Sequence, residues 1–220
     1  MNKIRISAAL STAAFIVLLP FCSVKAYADS TVTVKLVSVG GQSSGGDYVF
    51  PYYFSFDGST TLTPLMCISY TNRISFGESW TATLVPISGN EQYVEAAYIF
   101  SEAAAPGASA TTIAEAQWAN WEFFDTSDPN FLHDSVPSGY QSGVTALLNQ
   151  ASLFAEANVN TNIYSGLDVF VPVDGTQSSG GEPQFLIGDP VSTPEPGSLL
   201  LFGSGLLGLA FLLFGKRCAA

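Results

Sequence analysis

Positive charge is what this 220-residue chain has least of: 7 Lys and Arg stand against 18 Asp and Glu, a formal net charge of −11. Five of the seven sit near the ends, at Lys3, Arg5, Lys25, Lys216 and Arg217. Between residues 29 and 191 only Lys35 and Arg73 remain against 17 acids, which leaves that part at −15. Such a surface repels phosphate backbones and anionic lipid heads and argues against nucleic-acid binding. Cysteine is as scarce. Of Cys22, Cys67 and Cys218 only Cys67 lies in the middle of the chain, so that part has no partner for a structural disulfide. One histidine, His133, and no phosphate loop, dinucleotide fingerprint or zinc cluster remove most familiar enzyme chemistries.

The ends read as delivery signals. Residues 1–28 carry Lys3 and Arg5, then an apolar stretch at 6–19, the helix breaker Pro20, and Ala26-Tyr27-Ala28 before Asp29. That order is a secretory signal peptide with cleavage expected after Ala28. At the other end Pro194-Glu195-Pro196 precedes 19 uncharged residues, 197–215, and then Lys216 and Arg217. At about 1.5 Å per residue this run just crosses a hydrocarbon core of about 30 Å. The basic pair would stay cytoplasmic, leaving everything before Pro194 outside. Triplet, helix and basic end together resemble the PEP-CTERM sorting signal of exported bacterial proteins. The resemblance implies an exosortase as processing partner and a cut near the triplet; without it, the tail is a plain single-pass anchor.

The exported part, 29–191, is long enough for one domain with a core. Residues 31–37 alternate polar and apolar, and a Gly-rich cluster at 40–46 breaks them. An aromatic run at 48–56 is followed by Asp57-Gly58, a strong hairpin signal, then strand candidates at 60–62, 64–70 and 79–85. After Pro86 the period lengthens to that of helices. Asn90 caps a helix over 91–105 that Pro106-Gly107 ends; Thr112 and Glu115 have capping-box spacing for a second over 113–124; a third spans 142–158. Short strands are expected at 167–173 and 184–187, with a flexible spacer between them. The reading is α+β: a small antiparallel sheet or barrel over 29–88, a helical part over 89–160, and short strands and loop over 161–191.

Within the second helix Ile113, Gln117, Trp121 and Phe124 share a face, which places an amide in an apolar stripe. The order of Met66-Cys67-Ile68-Ser69, Glu95-Ala-Ala-Tyr98 and Ala116-Gln117-Trp118-Ala119-Asn120-Trp121 resembles bacterial surface thioester domains. That resemblance implies an internal thioester between Cys67 and Gln117, whose carbonyl an amine or hydroxyl on a surface partner attacks, releasing the Cys67 thiol. It departs from the family at Ala116, where Thr is usual, and at Asn120, where an aliphatic residue is usual. The simpler reading makes Cys67 a core residue and satisfies Gln117 through backbone hydrogen bonds. Cys67, His133 and Asp134 form a remote nucleophile set, and Asp125, Asp128, Asn130 and Asp134 a poor calcium loop, interrupted by Pro129. Glu78, Glu91 and Glu95 read as surface charges.

The sequence thus describes an exported, non-enzymatic structural or adhesive protein of the cell surface or matrix, with no cofactor and no metal; a covalent thioester adhesin is the alternative and an exported hydrolase a distant one. Its expected partners are an exosortase, the membrane before processing, and extracellular polysaccharide or a surface amine or hydroxyl.

Overall fold

The alternation at the start of the exported part becomes strand β1 (Thr31–Val39), whose Val34 and Leu36 point inward while Thr33 and Lys35 face solvent. The computed structural model describes residues 31–124, 130–178 and 183–190; the signal segment 1–28, the sorting tail and its expected helix at 197–215 lie outside these. A two-stranded ribbon follows, β2 (Ser43–Ser44) and β3 (Asp47–Tyr48), turned by Gly45 and Gly46 at φ of 63° and 96°. Strand β4 (Tyr52–Phe56) ends in the expected Asp57-Gly58 turn, both residues at positive φ, where the Asp57 carboxylate accepts from the Thr33 amide at 2.8 Å. Residues 60–62 are not a strand but the rest of that loop, and pairing resumes in β5 (Thr63–Cys67). Strand β6 (Ser79–Pro86) completes the N-terminal set.

Four helices follow: α1 (Glu91–Ala104), α2 (Ala110–Phe124), a single turn α3 (Phe131–Asp134), and α4 (Gln141–Asn158). Asn90 caps α1 as expected, its side chain accepting from the amides of Gln92 at 3.0 Å and Tyr93 at 3.4 Å. The second helix starts earlier than the Thr112–Glu115 spacing implied. Its cap is Ser109, whose Oγ accepts from the Thr112 amide at 3.0 Å, and the Glu115 carboxylate lies against Gly143 of α4 instead of closing a capping box. The chain then returns to the sheet in β7 (Asp168–Pro172) and β8 (Leu186–Gly188).

These last strands change the architecture from an N-terminal sheet with appended pieces to a closed, antiparallel six-stranded barrel in the order β1-β4-β5-β8-β7-β6. Strands separated in sequence by the whole helical part are hydrogen-bonded neighbours. Inside the barrel Val34, Phe54, Leu65, Cys67, Trp80 and Phe170 meet with almost no exposure. The opposite face of β5, β7 and β8 presents Met66, Ile68, Val169 and Ile187 to a second core shared with the helices. Helix α2 lies centrally in that layer: from Ile113 to Trp121 every residue but Glu115 is buried. The start of the segment expected as a spacer after β7, up to Ser178, is tied down. Thr176 Oγ1 and Ser178 Oγ accept from the Thr81 and Ser79 amides at 3.0 and 2.9 Å, continuing the β6 edge.

Candidate functional site

Strand parity decides where Cys67 points. Alternate residues of β5 face opposite sides, so Leu65 and Cys67 enter the barrel while Met66 and Ile68 meet the helices. The thiol is free and fully buried, and burial pushes it well above the ordinary thiol range. Gln117 approaches from the helix side. Its Nε2 donates to the backbone carbonyl of Cys67 at 2.5 Å, and its Oε1 accepts from the Phe50 amide at 3.1 Å. The β4–β5 register pairs Tyr53 with Pro64 and Tyr52 with Leu65, so its extension sets Phe50 opposite Cys67. At that position the two strands are joined through the carboxamide, which acts as a peptide group spliced into the ladder.

The sequence therefore brings Cys67 and Gln117 together, but through the wrong atoms for a thioester. The amide is occupied by two backbone partners on one side of the strand, and the sulfur belongs to the barrel interior on the other. Around the pair, Asn120 Nδ2 lies 3.0 Å from Met66 Sδ and Trp118 Nε1 donates to Ser44 Oγ at 2.8 Å, so the polar atoms of α2 serve as anchors onto the sheet and ribbon.

The other sequence candidates scatter. His133 is exposed on α3 and pairs with Asp134 at 2.8 Å, whereas the Cys67 thiol is sealed in the barrel, so the nucleophile set is not assembled. Asp125 and Asp128 fall outside the described residues, as do Pro194, Glu195, Pro196, Lys216 and Arg217. Two acids expected at the surface are buried. Glu78 is 4% exposed, with Oε2 accepting from the Ser75 amide at 2.9 Å. Glu95, 9% exposed, has its carboxyl raised above the usual range by burial and by the Glu91 charge.

One constellation escaped the sequence reading. Asp47 of β3 accepts from the Tyr70 hydroxyl at 3.2 Å and pairs with Arg73 at 3.4 Å, and the guanidinium lies 6.0 Å from the centre of the Tyr70 ring. Tyr70 in turn packs on Trp118, Trp121 and Phe131 at 4.8–5.8 Å between ring centres. Burial and the Asp47 charge raise the Tyr70 hydroxyl, so it stays a neutral donor. Asp47, Tyr70, Arg73 and Trp121 line an open cleft of about 300 Å³. The available signal was Arg73 itself, one of two cations in an acidic domain, set in an aromatic neighbourhood.

Comparison with known proteins gives one match. Residues 192–217 match the PEP-CTERM protein-sorting motif, covering the triplet, the apolar run and the basic pair. No curated protein and no solved structure matches the chain. The motif marks a C-terminally sorted, exported protein that is held at the membrane before an exosortase processes it.

Proposed function

Because the chain carries a PEP-CTERM sorting motif, we propose that residues 29–191 are delivered to the cell surface or extracellular matrix as a non-enzymatic structural or adhesive domain. The observation that carries this reading is the motif at 192–217, joined to a signal-peptide pattern at 1–28 and a central part of net charge −15. An acidic domain of this kind stays soluble and resists association in a crowded envelope. The one cysteine of the described residues is closed inside the barrel, which supports a binding role over a nucleophilic one. The same geometry takes support away from a covalent adhesin built on Cys67 and Gln117.

Mass spectrometry of the surface fraction tests the delivery. The expected chain starts at Asp29 and ends between Pro194 and Gly197. Recovery of protein that still contains Leu199 and Phe214 would reduce the tail to a permanent anchor. Replacing Pro194, Glu195 and Pro196 is expected to leave export intact and block release, because translocation depends on the N-terminal signal.

A further inference from the structure

The cleft beside Asp47 is built from five stretches of chain: the β2–β3 ribbon, the start of β4 at Tyr52, the loop after β5, the C-terminal half of α2, and the approach to β8. They are fastened to one another. Asn72 donates through Nδ2 to the Pro183 carbonyl at 3.0 Å, Gln184 donates through its side-chain Nε2 to the Asn72 carbonyl, and the Phe185 backbone amide donates to Ser69 Oγ at 3.2 Å. A pocket held this way loses little conformational freedom when occupied. Its volume of about 300 Å³ is at the lower end for small-molecule sites and admits a single ring-sized unit.

Its chemistry is mixed in a specific way. Apolar surface comes from the rings of Tyr48, Tyr70 and Trp121. Tyr48 is 49% exposed and stands edge-on to Phe76, itself 60% exposed, with ring centres 6.3 Å apart. Polar groups of both kinds are interleaved with them: Asp47 and the Tyr70 hydroxyl oxygen supply acceptors, and the Arg73 guanidinium and the Ser75 hydroxyl supply donors. Two further groups on the lining residues have no partner among the described residues. Trp121 Nε1 is a buried donor and Gln184 Oε1 a buried acceptor. Buried polar atoms are normally satisfied, and those that are not point to a missing partner.

A ligand that matches must offer an apolar face to the rings and hydroxyls that both donate and accept around its rim. A phosphate or sulfate fails, because the guanidinium is already paired with Asp47 and the domain is strongly acidic. A purely apolar molecule leaves Trp121 Nε1 and Gln184 Oε1 without partners. We propose that this cleft is a sugar-binding site that takes one neutral pyranose unit of a surface polysaccharide, with Tyr48 as stacking platform and the Asp47–Arg73–Tyr70 cluster reading its hydroxyls. The inference rests on the adhesive reading above for the source of the sugar, not for the chemistry of the cleft.

The test is a glycan array followed by calorimetric titration of the mature exported protein. The probes are gluco-, galacto- and manno-oligosaccharides, with an oligouronate and inorganic phosphate as separate arms. Binding of at least one neutral oligosaccharide is expected, accompanied by a change in tryptophan fluorescence. Asp47→Asn and Tyr48→Ala are each expected to weaken that binding about tenfold, whereas Leu153→Ala, on the exposed side of α4, leaves it unchanged. Tyr48 is half exposed, so its variant keeps the fold, and a thermal melt verifies this. Failure of the folded wild-type protein to bind any neutral oligosaccharide at millimolar concentration overturns the proposal. So does binding confined to the oligouronate or phosphate, or binding that survives both variants. Because delivery is read by mass spectrometry, a protein that reaches the surface and binds no sugar sinks the cleft assignment alone.

Discussion

The carboxamide of Gln117 carries a quantitative prediction. Replacing it by Leu keeps the approximate volume but leaves the Phe50 amide and the Cys67 carbonyl facing an apolar side chain in a fully buried place. Each orphaned buried group costs about 1–3 kcal/mol, so the pair costs about 2–6 kcal/mol. A more apolar side chain in the same space returns about 1–2 kcal/mol. The expected net loss centres on about 2.5 kcal/mol, a large share of the stability of a domain this size, and lowers Tm by about 2–4 °C per kcal/mol. Urea unfolding reads it as a lower midpoint at unchanged slope. Gln117→Glu adds a pH signature. Its carboxyl keeps the acceptor toward Phe50 but must hold a proton to donate to Cys67, so the folded state binds the proton more tightly than the unfolded one. Stability is then retained in acid and lost as pH rises through the raised folded pKa. A Gln117→Leu protein within about 0.5 kcal/mol of wild type, the range of ordinary surface changes, would refute the spliced-rung argument.

Cys67 is expected to resist thiol reagents in the native protein and to react fully in denaturant, and intact mass should show no loss of ammonia; rapid native labelling would place the sulfur elsewhere. Glu95→Gln should stabilise the protein at neutral pH and lose that advantage in acid. Its carboxyl is raised in the folded state, so wild-type stability falls as pH rises from the unfolded carboxyl pKa through the higher folded one, and thermal melts across pH 4 to 8 check the sign. Gly188→Ala should destabilise the barrel, since a Cβ there would come within 2.5 Å of Leu65 Cδ2 and 3.2 Å of the Pro64 carbonyl; an unchanged melting temperature would mean that the β5–β8 seam has slack.

Local signals were legible where one face of an element meets water. Lys35 and Thr33 alternate with Val34 and Leu36, and the Asp57-Gly58 turn and Asn90 cap act within a few residues of themselves. Strand β5 was different. Both its faces are buried, one against the barrel interior and one against α2, so Leu65, Met66, Cys67 and Ile68 give no period from which to tell which way the thiol points. That parity separates a thioester from a structural amide, and only the fold supplies it. Barrel closure was hidden for a related reason: Ile187 pairs with Met66 across the entire helical part, and no local pattern encodes such a partner. At the start of α2, Ser109 and Thr112 are both good caps. The choice between them depends on Glu115 packing against Gly143, a tertiary contact.

Closure by the last strand also orders events in time. Until residues 186–188 have passed through the export channel, β5 and β7 each lack a neighbour, and the barrel interior stays open to water. The sorting motif begins at residue 192, four positions beyond Gly188, so the tail is entering the membrane as the final strand comes free. Folding is completed on a tether. A cut near Pro194, as proposed above, would leave six residues between the new end and Gly188, a reach of about 20 Å even fully extended. Anything joined to that end would then lie within that reach of the β8 strand that closes the barrel.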